Sequence, residues 1–276
     1  MIEAGRIVEL EIKKMTPQGA YLSDGVSEVL LPSKQIPEGA APGDTLTVFI
    51  YRDSKDRLIS TVREPLVKLG EIARLKVKEM TKIGAFLDMG LERDLLLPFH
   101  EMTRQPAAGD EVLIAMYLDK SGRLCATEKL YEYLVSDSPY ARDDEVTGTL
   151  YEISRNFGAF VAVDDMYSAL IPAREFGGEA KAGDRVTCRV TGVKPDGRLN
   201  LSMRKKAYLQ IDDDAQAIFD MIEKNGRLDF TDKAEPTVIK EKTGLSKAAF
   251  KRAIGHLLKE KKILIKEDGI YERDQN

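Results

Sequence analysis

Three copies of one pattern constrain the fold more than any other feature of this 276-residue chain. Each copy contains, in the same order, a Gly-Ala-aromatic-aliphatic stretch, an aliphatic-Pro step, a Gly-Asp pair and a polar turn that closes on Arg-Leu. Corresponding markers lie 65 or 66 residues apart between the first two copies, and 74 or 75 apart between the second and third. Four markers in one order, three times, indicate an internal repeat of three similar units.

Each copy has the pattern of short strands joined by turns. The stretches GRIVELEIKKM and GEIARLKVKEM carry aliphatic residues at close to every second position, with Gly, Pro and Asp between such runs. Five short strands in about 65 residues favour a small closed barrel over an open sandwich, and a barrel leaves no exposed sheet edge. The repeated Gly, Pro and Gly-Asp residues are then bulge, strand-end and turn positions that define the fold.

The aromatic residue of the repeated stretch is a candidate for binding. In GAFV at 158–161, alternation places Phe160 on the face opposite to its two small neighbours, and Phe157 can join it across the intervening glycine. Tyr21 and Phe86 occupy the position of Phe160 in the first two copies. Rings exposed on a barrel offer stacking platforms for unpaired bases, each worth about 1–3 kcal/mol. The alternative is that these rings pack against a neighbouring domain.

The third copy, with its Phe-Gly-Ala-Phe-Val stretch, its Gly-Asp pair and its closing Leu-Ser, resembles an S1 RNA-binding domain, a five-stranded OB-fold barrel. The resemblance implies that Phe157 and Phe160 stack on RNA. Only the second of these two positions is aromatic in the other copies, where Gln18 and Ile83 stand at the first.

The remaining S1 binding positions are divided among the copies. The histidine of the family pattern is a proline in all three. The closing acid and arginine are kept in the first two copies, as Asp53 with Arg57 and Asp119 with Arg123, but the third copy has Lys194 before Arg198. The resemblance implies nucleic-acid contact for Arg57, Arg123 and Arg198. Because no copy holds the full set, we expect modest affinity from each, with strength coming from linked sites.

After residue 206 the hydrophobic period changes from that of strands to that of helices. A helix, a short helix, a turn, a longer helix and a hairpin follow one another, which is the order of a winged helix-turn-helix. The predicted first helix starts with three aspartates, which suit a helix N-terminus, and ends at a glycine. The predicted elements are a helix at 212–226 starting with Asp212, Asp213 and Asp214 and ending at Gly226, a helix at 236–244, a helix at 245–263 capped by Ser246 with a stripe of Phe250, Ile254, Leu257 and Leu258, and a hairpin at 263–273.

The predicted recognition helix is basic. Residues 237–266 contain nine Lys or Arg and two Glu, about +7 in a chain whose formal net charge is −4. Lys247, Lys251 and Arg252 lie away from the apolar stripe, where they can meet phosphates. The alternatives are a solvated helix face on a packing domain and a protein-interaction module.

The sequence therefore predicts a mainly β chain with a C-terminal α+β domain, made of three tandem S1-like OB-fold barrels and a winged helix. This order resembles the bacterial conserved virulence factor B (YitL-like) family, found mainly in Gram-positive bacteria. The resemblance implies an RNA-binding regulator of the expression of other genes, with no known catalysis and a role in virulence regulation. The predicted domains are S1-like domains at 1–64, 65–130 and 144–206, a linker at 131–143, which can also form a short helix, and the winged helix at 207–276.

Composition excludes several classes of protein. A pI near 5.5 argues against a uniformly basic nucleic-acid binder, so any polyanion site must be local. Two isolated cysteines, Cys125 and Cys188, and two isolated histidines form no zinc motif, and no cofactor or metal is expected. The chain has no signal-peptide pattern and no apolar run of about 18 residues. A cytoplasmic protein without membrane contact is expected.

The leading hypothesis is a non-enzymatic protein that binds single-stranded RNA through stacking and phosphate contacts. A ribosome, RNA polymerase or nuclease remains open as its protein partner. The second hypothesis is a DNA-binding transcriptional regulator whose winged helix contacts duplex DNA, although a lysine-rich recognition helix without Asn or Gln favours phosphate contact over base readout. The third is a nuclease that uses the aspartate run at 212–214. No P-loop and no catalytic constellation supports it.

Overall fold

The chain forms two compact units, Met1–Met203 and Arg204–Asn276, in this computed structural model. Residues 2–176, 179–204 and 207–273 are described, with the backbone alone for 207–212. The first unit consists of three closed five-stranded barrels. The second combines three helices with a three-stranded sheet. The predicted fold class, mainly β with a C-terminal α+β domain, is confirmed.

All three barrels have one topology. The order around each barrel is first, second, third, fifth and fourth strand, and the fourth closes on the first. The third and fifth strands run parallel and the other neighbours antiparallel. The first barrel contains β1 (Ile7–Thr16), β2 (Gly19–Ser23), β3 (Glu28–Pro32), β4 (Thr45–Arg52) and β5 (Leu58–Thr61). The second contains β6 (Ile72–Met80), β7 (Gly84–Leu87), β8 (Leu95–Pro98), β9 (Glu111–Leu118) and β10 (Leu124–Thr127). The third contains β11 (Glu145–Ser154), β12 (Gly158–Val163), β13 (Tyr167–Pro172), β14 (Arg185–Val193) and β15 (Leu199–Ser202).

The repeated glycine and proline stand opposite each other on neighbouring strands. Gly158 pairs with Pro172, and a Cβ at Gly158 would lie 2.0 Å from the carbonyl oxygen of Ile171. Its φ of +113° also lies where L side chains rarely fit. Equivalent contacts of 1.9 and 2.1 Å would arise at Gly19 and Gly84. The second strand can therefore approach the third only with glycine at this position, which confirms the structural interpretation of the repeat.

A side-chain hydrogen bond that the sequence did not suggest also recurs in each barrel. A residue just after the third strand accepts a hydrogen bond from a hydroxyl at the end of the fifth strand, 2.7 Å in the second barrel and 2.9 Å in the third. This bond fastens the end of the barrel to the turn after its third strand. The pairs are Gln35 with Thr61, Glu101 with Thr127 and Glu175 with Ser202.

A charged cluster and an apolar cluster join the second and third barrels. Arg74 of β6 forms an ion pair with Asp165, with 2.6 Å between Nε and Oδ2, and the Thr149 hydroxyl donates to the same carboxylate at 2.8 Å. The apolar cluster around this junction contains Leu113 of β9 and Tyr151 of β11. Charge and packing thus fix one barrel against the next.

The segment at 131–143 connects these two barrels. It contains turns but no helix over its whole described length, so the short helix that was the alternative to a linker is not formed. Val135 donates its N–H to Met166 and accepts from the N–H of Ser168, at 2.9 and 2.8 Å. The segment is therefore bound along the start of β13, and it is part of the third barrel's surface.

The second unit has the predicted winged-helix order. Gly226 follows the first helix with φ +76°, Gly244 caps the second with φ +74°, and the Ser246 hydroxyl accepts from the N–H of Ala249, as a helix N-cap does. A short strand after the first helix adds a third strand to the sheet, which the sequence did not indicate. The elements are α1 (Ala207–Asn225), β16 (Arg227–Leu228), α2 (Pro236–Thr243), α3 (Lys247–Lys259), β17 (Ile263–Lys266) and β18 (Gly269–Glu272).

Two details of the helix predictions were wrong. Helix α1 begins at Ala207, so the aspartates at 212–214 lie beyond its first turn and not at its start. Leu258 is 41% exposed and lies outside the apolar stripe, whereas Phe250, Ile254 and Leu257 are buried. The reason is the same in both cases, because local periodicity does not show where a helix begins or how wide its packed face is.

Candidate nucleic-acid interface

The outer face of the third barrel carries an apolar cavity of about 310 Å³. Phe157 and Phe160, the aromatic pair identified in the sequence, both line it. Ala159 and Val161 are fully buried on the opposite face of β12, as strand alternation predicted. Phe157 is 65% exposed, and Phe160 is half-buried. The structure therefore brings the two predicted rings to one site, while base stacking on them stays a prediction.

A third ring, from outside the barrel, completes this cavity. Tyr131, in the segment after the second barrel, lines it, and its ring meets Phe160 edge to face with 6.2 Å between centroids. Phe160 also packs against the buried ring of Tyr151, 6.1 Å away. Phe160 thus combines the two alternatives posed by the sequence, because it lines an open cavity and also packs at the junction with the second barrel.

Arg198 is held at this cavity by two partners. Its Nη2 lies 2.6 Å from Oδ2 of Asp196, and its Nη1 donates to the hydroxyl of Tyr131. The hydrogen bond with Asp196 raises the pKa of Arg198 and lowers that of Asp196, so both are charged at neutral pH. The third copy has Lys194 where the others have the acid, and Asp196 supplies a carboxylate from a different position in the same turn.

The equivalent face of the second barrel has a cavity of about 340 Å³ with different chemistry. Phe86 lines it, and the exposed Ile83 stands where the third barrel has its first phenylalanine. Arg123 also lines it, but its Nε forms an ion pair with Asp56 of the first barrel at 3.2 Å. The arginine predicted to contact nucleic acid here is therefore used in a contact between two barrels.

The turn between β4 and β5 of the first barrel forms one wall of this second cavity. Arg52 donates from Nε to the carbonyl of Gly122 at 3.0 Å, which connects the closing turns of the first two barrels. Three carboxylates line the cavity and offset its three arginines, Arg52, Arg93 and Arg123. They belong to Asp53, Asp56 and Asp94.

The candidate residues of the first barrel, Tyr21 and Arg57, each contact partners of their own. Tyr21 is half-buried, and the Lys14 ammonium lies 4.5 Å from its ring centroid while also pairing with Glu28. Arg57 is exposed and donates to Asp53, which lowers the pKa of Asp53 to about 2. Each predicted cation or ring of this barrel thus has a nearby partner of its own.

The three predicted cations of α3 differ in their surroundings. Lys247 is half-buried and donates to the carbonyl of Ala234 at 2.8 Å, so it points back to the preceding loop. Lys251 lies 3.6 Å from a carboxylate oxygen of Asp232. Arg252 is exposed and has no hydrogen bond or ion pair with any other described residue. Arg252 is therefore the most available of the three for a phosphate.

The positive charge of the winged helix is smaller than its sequence indicates. Lys242 pairs with Asp229 at 2.8 Å, and Lys251 pairs with Asp232. Both aspartates precede residues 237–266, over which the charge was counted. Folding brings them onto the basic surface because the chain before α2 turns back against α2 and α3.

The described residues show neither a metal-binding cluster nor a membrane-spanning helix. Among them, no group of three or more His, Cys, Asp or Glu side chains is placed to hold a metal ion. None of their helices is long and apolar enough to cross a membrane.

Sequence reasoning missed both hydroxyl-bearing residues of the third-barrel cavity. Tyr131 lies in a stretch with three tyrosines, and that density of aromatic residues was the only available signal. Ser168 lines the cavity with 6% of its surface exposed, and no other described residue hydrogen-bonds its hydroxyl. In the repeat alignment Ser168 stands where the other copies have Glu28 and Asp94.

Comparisons with known families divide the chain in the same order as its folded parts. A profile of the S1 domain matches residues 4–63 and 69–129. A profile described as Virulence regulatory factor CvfB, second domain, matches 132–205, and one described as CvfB-like winged helix domain matches 216–271. The third barrel is thus matched by a profile of its own, which includes nearly all of the segment at 131–143.

Whole proteins with similar sequences were also found. YitL of Bacillus subtilis strain 168 is 33% identical over 281 residues, covering 98% of this chain and 93% of YitL. Conserved virulence factor B of Staphylococcus saprophyticus is 31% identical, covering 83% of this chain and 79% of that protein. A crystal structure from Streptococcus pneumoniae TIGR4, described as a multidomain protein with nucleic acid binding domains, is 24% identical with a TM-score of 0.51, covering 98% of each chain. This last likeness shows the fold.

Proposed function

Because the chain belongs to the family of YitL and conserved virulence factor B, with S1 domains and a CvfB-like winged helix, we propose that it is a non-enzymatic protein that binds single-stranded RNA. We further propose that it acts in the cytoplasm as a post-transcriptional regulator of gene expression. A ribosome, RNA polymerase or nuclease is the class of protein partner to be tested.

The cavity on the third barrel is the observation that carries this proposal. Phe157, Phe160 and Tyr131 offer aromatic surface there, and Lys194 and Arg198 are the cations beside it. Unpaired bases stack on aromatic side chains, whereas bases within a duplex are already stacked on one another. The combination of exposed rings with cations therefore favours single strands over duplexes.

The second barrel is a weaker candidate. Its cavity has one aromatic residue from the repeated position, Phe86, and three carboxylates that offset the attraction of its three arginines for phosphates. The first barrel offers Tyr21, and Arg57 stands at its closing turn in an ion pair. We propose that these two barrels contribute secondary contacts along the RNA.

The alternative function is duplex DNA binding through the winged helix. Helix α3 has its N-cap and is long enough for a major groove, and Arg252 is available on its surface. Against this alternative, Lys247 and Lys251 are occupied by Ala234 and Asp232. We propose that α3 adds a phosphate contact to RNA binding.

The first test compares Phe157→Ala with wild type by fluorescence anisotropy, using labelled single-stranded RNA across a salt series. Phe157 is exposed, so its loss should leave stability unchanged while weakening binding by about 1–3 kcal/mol, with the same salt slope. Phe99→Ala is the matched control, because Phe99 is an exposed phenylalanine of the second barrel that lines neither cavity. The double variant Phe157→Ala/Phe160→Ala tests how much the two rings together contribute to RNA affinity.

The triple variant Lys247→Ala/Lys251→Ala/Arg252→Ala is measured beside them, with duplex DNA as competitor. We expect a shallower salt slope and a smaller loss of RNA affinity than for Phe157→Ala. The proposal fails if Phe157→Ala binds as tightly as wild type while the triple variant loses binding and duplex DNA competes equally well. That result would favour the DNA-binding alternative.

A further inference from the structure

The cavity of the third barrel is built differently from its counterpart on the second barrel, although both arise from the same repeat. Lys194 and Arg198 are the only ionisable groups among its lining residues apart from the Tyr131 phenol. The second cavity is lined by three arginines and three aspartates. A ligand that brings an apolar ring and a negative charge together therefore suits the third cavity better than the second.

The two cavities differ at the position of Ser168. At the equivalent position of the second barrel, Asp94 pairs with Lys78 at 2.6 Å, and this hydrogen bond raises the pKa of Lys78. In the first barrel Glu28 pairs with Lys14. The third barrel has a serine there instead, which is 6% exposed and whose hydroxyl forms no hydrogen bond with another described residue. A hydroxyl can both donate and accept, so it can satisfy the polar edge of any base.

Tyr131 is held in place before any ligand arrives. Its hydroxyl accepts from Arg198, and the guanidinium carbon lies 5.6 Å from its ring centroid. Four residues later, Val135 is hydrogen-bonded along the start of β13. A wall that is already fixed loses little conformational entropy on binding.

We propose that the third barrel holds one unpaired nucleobase inside this cavity, against the ring of Tyr131, with the Ser168 hydroxyl at the base edge and Arg198 and Lys194 at the adjoining phosphate. The inference rests on the proposed function, since it names how the same site takes its RNA. It adds two binding residues, of which one lies outside the barrel. It also distinguishes the third barrel from the second, whose cavity has Asp94 at the position of Ser168.

The test uses the full-length protein and an oligouridylate of about eight nucleotides that carries one 2-aminopurine. Anisotropy of an end label gives affinity, and 2-aminopurine fluorescence reports stacking of that base. We expect Tyr131→Ala to weaken binding by about fivefold or more and to reduce the quenching of 2-aminopurine. Tyr131→Phe, which keeps the ring and removes the contact with Arg198, should lose about two- to tenfold. Tyr133→Phe is the matched control, because Tyr133 lies in the same segment and does not line the cavity.

Ser168 is tested by two changes. Ser168→Asp gives the third barrel the acid of the second. We expect about a tenfold or greater loss of affinity, because a carboxylate at the base edge cannot donate a hydrogen bond and adds a negative charge near the adjoining phosphate. Ser168→Ala should lose about two- to tenfold for oligouridylate and oligoadenylate alike. Thermal denaturation of each variant identifies any that fails to fold. If Ser168→Asp does not fold, the Tyr131 variants still test the inference, because Tyr131 is exposed and its replacement should not affect folding.

The outcomes separate this inference from the proposed function. If Phe157→Ala weakens binding while both Tyr131 variants and Ser168→Ala bind and quench as wild type, the inserted base is excluded and surface stacking on the third barrel stands. If Phe157→Ala also binds as wild type, the third barrel is not the RNA site, and the proposed function fails together with the inference. Equal quenching in wild type and Tyr131→Ala overturns the role of Tyr131 as a wall.

Discussion

At the scale of single residues, the three barrels differ at a few equivalent positions that decide what each face can bind. The position of Phe157 holds Ile83 and Gln18 in the other copies, and the position of Ser168 holds Asp94 and Glu28. Each of these changes replaces an aromatic or neutral group with an aliphatic, amide or acidic one. Barrels of one fold can therefore differ in function, so that one is suited to bind a base while another contacts the adjacent barrel.

The two cysteines report on the packing of the second and third barrels. Both are buried, and burial raises the pKa of Cys125 and of Cys188 to about 11. Because the thiolate is the reactive form, we expect neither to react with a thiol reagent at pH 8 in the folded protein, and both to react in denaturant. With an aromatic disulfide as the thiol reagent, the absorbance of the aryl thiolate that it releases measures the reaction. Rapid labelling of one cysteine in native buffer would show that its barrel opens far more readily than its packing indicates.

At the scale of elements, the barrels depend on the close approach of the second and third strands. The bulged first strand in each barrel then brings the fourth strand around to close it. In the third barrel the bulge lies at Tyr151, which is buried against the junction with the second barrel, whereas the equivalent residues Lys13 and Lys78 are exposed. The bulge in the first strand thus helps to close every barrel. In the third barrel it also contributes a side chain to the packing against the second barrel.

Gly158→Ala tests the glycine-proline contact. The new Cβ would lie 2.0 Å from the carbonyl oxygen of Ile171 at a φ of +113°, so we expect a loss of at least about 2 kcal/mol in the free energy of unfolding. Gly192→Ala is the control within the same barrel, because its φ is not positive and a Cβ there meets nothing within 4 Å. Urea denaturation measures both. Equal stability of the two variants would mean that the strands can separate at no cost.

At the scale of the whole molecule, the chain combines two units with separate cores. The winged helix has its own core around Phe250, Ile218 and Ile254, and the barrels have theirs. Within the first unit, the ion pair of Arg74 with Asp165 and the contact of Arg123 with Asp56 join successive barrels. Binding surfaces on the barrels are therefore determined partly by the barrel or segment that precedes them.

Separate fragments of residues 1–203 and 204–276 test how function divides between the units. We expect both to fold, because each buries a core of its own. The first should keep most of the affinity for single-stranded RNA, while the second binds weakly and with a steep salt dependence. Circular dichroism checks folding, and anisotropy measures binding. A preference for duplex DNA kept by the second fragment would instead support a transcriptional regulator.

The sequence by itself determined the three barrels, the winged helix and the position of the rings of Phe157 and Phe160 on one face of the third barrel. Period-2 alternation and the repeated glycines act between residues near in the chain, so these features were visible as patterns. Only the tertiary structure decided that Tyr131 stands beside Arg198, that Arg123 is paired with Asp56, and that Asp229 and Asp232 reduce the positive charge of α2 and α3. These contacts join groups that no local period relates, and the packing of one element on another brings them within reach of each other.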